Sequence, residues 1–259
     1  MTPEPVPFDA PAVERGVGFF ETLLVIGRRA VLWEAHLGRL RRTLAALELP
    51  APAAEAVENG ARLALGDRPD GDEETALRLS WIAVGADLEN PASWRLDASV
   101  RPVPPNTLAR RAGSKAVTAP ERFRRDSPLF KSTSYFGAVA ALRQARKAGA
   151  DEALFREADL YVEGTSTGIV AWNGGRLAGS GPGALPGVTA EAFLDGAGER
   201  RGLGRGELVS GALLLGSLTT AAPLLSLDGE ECARPPAMLR ACEAFRERLR
   251  GDAALQKRL

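Results

Sequence analysis

Apolar residues change their period along this chain, and the changes mark its elements. Residues 19–26, FFETLLVI, are dense in β-forming side chains. Gly27-Arg28-Arg29 turns the chain and residues 30–33 return it, which predicts a β-hairpin. From Glu34 the spacing lengthens. Leu37, Leu40, Leu44 and Leu47 recur at three- and four-residue steps, giving a helix with one apolar face that Pro50 ends. An alanine-rich helix follows over 53–66, then a polar loop over 67–74 and two strands over 77–84 and 94–103. Residues 1–13 read as a loop or extended arm. Pro102, Pro104 and Pro105 open a linker, so a boundary is expected between about 103 and 118.

Beyond it the pattern predicts a helix over 134–148, stopped by Gly149, and strands over 151–156, 159–163 and 166–172. Asn173-Gly174-Gly175 is a turn, and 179–187 is a loop with four glycines and two prolines. Val188-Thr189 starts a helix. Strands are expected at 211–217 and near 224–228, and a last helix from about 235. Strands and helices come in runs rather than in strict alternation. The class is therefore α+β or mixed, with an N-terminal α+β lobe over 1–110 and a second, larger lobe over 111–259.

Composition narrows the function. The 259 residues carry 33 basic and 33 acidic side chains, and the arginine pairs at 28–29, 41–42, 110–111 and 124–125 are scattered. They read as solvated surface or local ion pairs, not as a nucleic-acid footprint. No segment has the apolar length of a membrane span, and the N-terminus has no secretory apolar core. Cys232 and Cys242, separated by nine residues, read as reduced thiols of a cytoplasmic protein. His36 is the sole histidine, which makes a Ser-His-Asp triad or a His/Cys metal site unattractive. It is expected to pack the hairpin against its helix, and no metal is expected.

Four of the basic residues are lysines: Lys115, Lys131, Lys147 and Lys257. Lys131 follows Leu129-Phe130 and precedes Ser132-Thr133-Ser134-Tyr135. Unlike arginine, a lysine can lose its proton and attack a carbonyl. Glu163, in Tyr161-Val162-Glu163-Gly164-Thr165, is either exposed at a turn or aimed into a site. Leu185-Pro186-Gly187-Val188-Thr189 leads a glycine into a helix start, which is an ordinary cap or an anion cradle. Gly216-Ser217-Leu218-Thr219-Thr220 is a polar strand end or a second cradle. Pyridoxal phosphate asks for all of these: a Schiff-base lysine, a carboxylate for the ring nitrogen, and donors for the phosphate. Arg39 could strengthen the phosphate site.

These stretches resemble the fold-type IV pyridoxal-phosphate enzymes, which include branched-chain and D-amino-acid aminotransferases and aminodeoxychorismate lyase. The resemblance runs from about Glu14 to Gly229. It is carried by Arg15-Gly16, Gly18-Phe19-Phe20-Glu21-Thr22, His36-Leu37-Gly38-Arg39-Leu40, the Lys131 run, Gly149-Ala150-Asp151-Glu152-Ala153-Leu154, the Glu163 run, the Gly187 run, and Ser217, Pro223 and Asp228-Gly229. It implies a two-lobed fold like that of D-amino-acid aminotransferase, with a mixed, barrel-like sheet in the C-terminal lobe. It also implies a homodimer with its active site between the lobes. Lys131 would carry the Schiff base and move protons, and Glu163 would pair with the pyridine nitrogen. Arg39, Val188, Thr189, Ser217 and Leu218 would hold the phosphate, and Tyr135 would lie near the cofactor's phenolic oxygen.

The chain departs from the family in four places. The usual first strand is reduced to the proline-rich arm, and Gly-Asp-Gly is contracted to Val17-Gly18. Ala190 stands where arginine is usual, and Thr165-Ser166-Thr167-Gly168 lacks the common asparagine.

The resemblance leaves three activities open on a small-molecule amine. The first is a lyase converting 4-amino-4-deoxychorismate to p-aminobenzoate and pyruvate in folate biosynthesis. Short length, the Lys-Ser-Thr-Ser-Tyr run and Gly216-Ser217-Leu218 favour it. The second is an aminotransferase for branched-chain or D-amino acids, and the third a catalytically silent binding protein of the same fold. Lys131 and Glu163 serve the first two equally.

Overall fold

The computed structural model describes residues 6, 9–85, 94–125 and 127–259. Most of the expected N-terminal arm lies outside the described residues. The part nearest the core is a one-turn helix, α1 (Pro11–Glu14).

By contacts the chain forms two compact units. The first comprises Met1–Val103, Phe130–Ser134 and Ala253–Leu259, the second Pro104–Leu129 and Tyr135–Asp252. The sequence pattern divides the chain once. The contacts divide it and then return the short run containing Lys131 to the first unit.

In the first unit, β1 (Gly18–Ile26) turns into β2 (Arg29–Val31), with Val25 opposite Ala30, as the hairpin pattern predicts. Helix α2 (Trp33–Ala46) buries Trp33, Leu37, Leu40 and Leu44, while Leu47, expected on the same face, caps the helix and is exposed. Then come α3 (Ala54–Leu65), β3 (Glu74–Ala83) and β4 (Trp94–Pro102). Leu23, Val25, Leu37, Val57, Ala61 and Leu77 form the core between sheet and helices.

The second unit begins where the sequence suggested only a linker. Pro105 occupies the first turn of α4 (Pro105–Arg110), where its missing N–H costs nothing. The rest follows as β5 (Ser114–Thr118), α5 (Phe136–Lys147), β6 (Glu152–Glu157), β7 (Leu160–Gly164), β8 (Gly168–Asn173) and β9 (Arg176–Gly179). Next are α6 (Val188–Leu194), β10 (Glu199–Arg200), α7 (Arg205–Ser210), β11 (Ala212–Gly216), β12 (Thr220–Leu227), β13 (Glu230–Glu231) and α8 (Pro236–Gly251). The sheet order is β10-β9-β8-β11-β12-β5-β6-β7, with β13 on β12. It mixes parallel pairs (β12 with β5, β5 with β6) with antiparallel ones and curls into a half-barrel. Leu154, Tyr161, Ile169, Leu203, Leu214 and Leu224 belong to one core cluster of this unit. The chain then ends in β14 (Gln256–Arg258), which completes the first unit's antiparallel sheet, β14-β2-β1-β3-β4.

No helix among the described residues is long and apolar enough to cross a membrane. Cys232 and Cys242 are buried free thiols, and burial pushes both pKa values up, that of Cys232 to about 11.

Candidate active site

In the first unit the Lys131 run lies along β1. Phe20 N–H donates to the Lys131 carbonyl (2.9 Å), and Thr133 N–H donates to the Gly18 carbonyl (2.8 Å). Thr133 Oγ1 donates to the Gly16 carbonyl (2.7 Å). Two distant motifs, Arg-Gly…Gly-Phe-Phe-Glu and Lys-Ser-Thr-Ser, are thus halves of one local structure. Gly16 must be glycine there. Its φ is +65°, and a Cβ would stand 2.5 Å from Ser134 Oγ. Lys131 is half-buried, with Nζ 4.6 Å from the centroid of the Phe20 ring.

Behind this run is a buried charge cluster. Arg39 Nε and Nη2 donate to the two oxygens of Glu21 at 2.8 and 2.5 Å. His36 Nδ1 donates to Glu21 Oε2 at 2.6 Å. Burial alone would raise the Glu21 pKa, but Arg39 and His36 outweigh it and hold it at about 2. Burial depresses the His36 pKa, and the Glu21 carboxylate recovers only part of that loss. His36 therefore sits between hairpin and helix as expected, and it does so as a hydrogen-bond donor to a carboxylate. Arg39 is fixed by the same carboxylate.

In the second unit Glu163 lies near the end of β7, 5% exposed. Arg125 Nη1 donates to both its oxygens at 2.8 Å, and Leu185 N–H donates at 3.1 Å. Tyr135 packs on the same arginine, with its ring centroid 5.2 Å from Cζ. A cavity of about 270 Å³ borders the pair and is lined in part by Pro120, Phe123, Phe155 and Val162. Gly137 at the start of α5 makes the approach possible, since a Cβ there would overlap the Arg124 carbonyl.

Val188 and Thr189 open α6, both buried. Gly187 precedes them and brings no side chain to cap the helix. Ala190, where the family pattern has arginine, is also buried, and its Cβ abuts Gly168 and Gly187. Ser217 and Leu218 lie in the turn between β11 and β12, half-buried. The Leu218 carbonyl accepts from Arg111 Nε (3.1 Å) and Nη2 (2.6 Å). Within the first unit the fold thus gathers Lys131, Glu21, His36 and Arg39. Within the second it places Tyr135 and Glu163 on one arginine.

The pattern reading missed two sets of residues. Arg110 and Arg125 belong to pairs read as solvated surface or local ion pairs; they are ion-paired, but buried, at 9% and 8% exposed. Each is drawn inward by a buried glutamate, Glu152 and Glu163 respectively. The signal available was the glutamates themselves, because a carboxylate inside an apolar strand needs a cation or several donors. The hydroxyl run after Glu163 supplies the second kind. Thr165, Ser166 and Thr167 all turn their hydroxyls to Glu152.

The chain matches the family described as amino-transferase class IV over residues 18–226. A protein of Mycobacterium tuberculosis (strain ATCC 25618 / H37Rv), named bifunctional aminodeoxychorismate lyase / D-amino acid transaminase, is 32% identical over 256 residues, covering 87% of this chain and 86% of that one. A hypothetical aminotransferase from Mycobacterium tuberculosis, in its PLP-bound form, has a TM-score of 0.82 at 26% identity, over 96% of this chain and 94% of the other. The fold IV-transaminase of Curtobacterium pusillum gives 0.82 at 25% identity, over 97% and 92%. The branched-chain aminotransferase of Thermoproteus uzoniensis shares the fold, with 0.82 at 20% identity over 98% and 93%. With the match running through every motif from Gly18 to Ser226, the chain belongs to the class IV amino-transferases, pyridoxal-phosphate-dependent enzymes of fold type IV.

Proposed function

We propose that this enzyme cleaves 4-amino-4-deoxychorismate to p-aminobenzoate and pyruvate, using Lys131 as the attachment point for pyridoxal phosphate. The observation that carries the reading is the relative at 32% identity, whose name includes the lyase activity. The Ser217-Leu218 turn favours the same reaction, as set out from the sequence.

The residues present fit the cofactor. Lys131 offers a half-buried amine anchored through its own backbone. Glu163 is a carboxylate already paired with a guanidinium, suited to a protonated ring nitrogen. The uncapped N–H groups at Val188 and Thr189, the turn at Ser217 and Leu218, and Arg39 offer donors to a phosphate. Tyr135 belongs near the phenolic oxygen. Bound pyridoxal phosphate supplies an electron sink for charge that develops on the substrate. The chain's part is to hold that group and to carry protons. The Lys131 amine would serve as general base and return the proton as acid. Arg125 and the Leu185 N–H hold the Glu163 carboxylate in place.

A second reading rests on the other half of the same relative's name. Transamination of a D-amino acid with a 2-oxo acid would use the same lysine and glutamate, and branched-chain substrates fall under the same reading. We also assign the enzyme to the cytoplasm as a homodimer, on the family resemblance. Sedimentation of the purified protein at twice the chain mass is the expected result.

A product assay separates the reactions. Purified protein receives 4-amino-4-deoxychorismate in one vessel, and D- or branched-chain amino acids with 2-oxoglutarate in another. p-Aminobenzoate with pyruvate supports the lyase, while glutamate alone replaces it with the transaminase. Lys131→Ala should lose both turnover and the absorbance of lysine-bound cofactor. Turnover retained in that variant overturns the assignment of Lys131.

A further inference from the structure

We propose that Arg111 is a positioning residue for the phosphate end of the cofactor, acting through the Leu218 carbonyl. The proposal rests on the reading that the 217–218 turn holds the phosphate.

Arg110 and Arg111 end α4 and part company. Arg110 enters the interior and pairs with Glu152 at 2.9 Å, while Arg111 reaches the β11–β12 turn. Its Nε and Nη2 converge on one acceptor, the Leu218 oxygen. A trans peptide is planar, so its C=O and N–H point in opposite directions. Gripping the Leu218 carbonyl therefore fixes the whole 218–219 peptide plane and turns the Thr219 N–H away from the guanidinium. The turn needs such a brace. Thr220, a β-branched residue, sits at φ +60°, a conformation that costs free energy and persists only where its surroundings impose it.

The brace is itself held from behind. Arg246, on α8, donates through Nε (3.0 Å) and Nη2 (2.5 Å) to the Ala221 carbonyl at the base of the turn. Its Nη2 also donates to the Arg111 carbonyl. Two guanidiniums thus clamp three carbonyls, those of Arg111, Leu218 and Ala221. Turning carbonyls toward fixed cations orients the turn's amides for an anion and places positive charge behind them. None of this requires Arg111 to touch the phosphate.

Comparison of pyridoxal phosphate with unphosphorylated pyridoxal isolates the effect. Both are titrated into apoprotein, and binding is read from tryptophan fluorescence. Arg111→Gln should weaken pyridoxal phosphate by about tenfold or more, the scale of a charged hydrogen bond, and leave pyridoxal within about twofold. Arg111→Lys keeps the charge but cannot present the fork, so it should recover only part of the loss. An Arg111→Gln protein that binds pyridoxal phosphate like wild type, or loses both ligands equally, overturns the proposal. Full recovery with lysine overturns it too, because charge alone would then suffice. If Arg111→Gln does not fold, Arg111→Lys carries the test, with a several-fold loss confined to the phosphorylated ligand expected and no loss fatal. Wild-type protein that binds pyridoxal phosphate no more tightly than pyridoxal would instead sink the underlying phosphate-site reading.

Discussion

Glu152 and Glu163 stand on neighbouring strands of one sheet, 0% and 5% exposed, and the protein treats them differently. Glu152 is wrapped by short-range neutral donors: the Ala153 and Thr165 N–H groups and the hydroxyls of Thr165, Ser166 and Thr167. Arg110 completes its shell. Gly164 makes room for this, since a Cβ there would stand 3.2 Å from the Glu152 carboxyl carbon. Glu163 takes Arg125 on both oxygens and accepts from the Leu185 amide. The first arrangement fastens a loop. The second balances a charge with a guanidinium, which suits the proposed meeting of Glu163 with a cationic ring nitrogen. Donor type, not burial, separates the two glutamates, and on the proposed function it separates a structural one from a chemical one.

The largest effect should follow loss of the Glu152 charge. Glu152→Gln strands Arg110 in the interior and presents an amide N–H₂ to hydroxyls that already donate. Breaking a buried pair from one side costs about 3–5 kcal/mol. Denaturant unfolding should register that loss, while turnover per folded, cofactor-saturated molecule stays within a few-fold of wild type.

Glu163→Gln should reverse the emphasis. Turnover at saturating cofactor should fall about 10²-fold, an effect typical of a group that acts on proton and charge movement. The unfolding free energy should fall by less than in Glu152→Gln, because among the described residues no run of hydroxyls like Thr165, Ser166 and Thr167 is fastened through Glu163. Equal losses of rate in the two variants would erase the distinction between them.

Removing hydroxyls one at a time sharpens the comparison further. Thr165→Val, Ser166→Ala and Thr167→Val should each cost about 1 kcal/mol in unfolding experiments. The three together should approach the Glu152→Gln value, since they and Arg110 share one carboxylate and will not act independently. The corresponding partner change around Glu163, Arg125→Gln, should lower turnover along with stability.

Much of this was legible in the chain. The hairpin, α2, α3, β3 and β4 follow directly from period and punctuation, and their observed limits lie within a few residues of those expected. The Lys131 and Glu163 runs stood out because their residue types are chemically unusual for their settings. Other features were hidden for definite reasons. Pro223 sits inside β12 and opposite Leu213, so only the strand's second half read as a strand. Prolines at 104 and 105 read as linker although Pro105 starts a helix. The return of 130–134 to the first unit depends on hydrogen bonds to Gly16, Gly18 and Phe20, and no local pattern encodes a partner more than a hundred residues away. Arg110 and Arg125 read as solvated surface or local ion pairs, and their burial was hidden because adjacent arginines are usually exposed. Only the position of a buried carboxylate in space reveals which member of each pair turns inward.

The smallest predicted effect concerns the third buried glutamate, Glu21 in the first unit, and its histidine. His36 is the chain's one histidine, so its titration can be isolated. Its folded pKa lies below the ordinary 6.5, because burial opposes the charged ring more than Glu21 supports it, and Arg39 and Lys131 oppose it further. Below pH 6.5 the unfolded chain therefore takes up a proton that the folded protein refuses. Stability is lost as pH falls from 6.5 toward the folded value, with a slope of at most about 1.4 kcal/mol per pH unit. Glu21 acts lower down. Its contribution is complete above about 4.5 and disappears as pH falls toward about 2. Unfolding free energies between pH 7.5 and 5 should therefore decline in wild type. His36→Gln, which keeps a donor for Glu21 but cannot charge, should start from a lower value and decline less over that interval. An unchanged slope in His36→Gln would place the acid sensitivity outside the Glu21–His36 pair and remove His36 as its source.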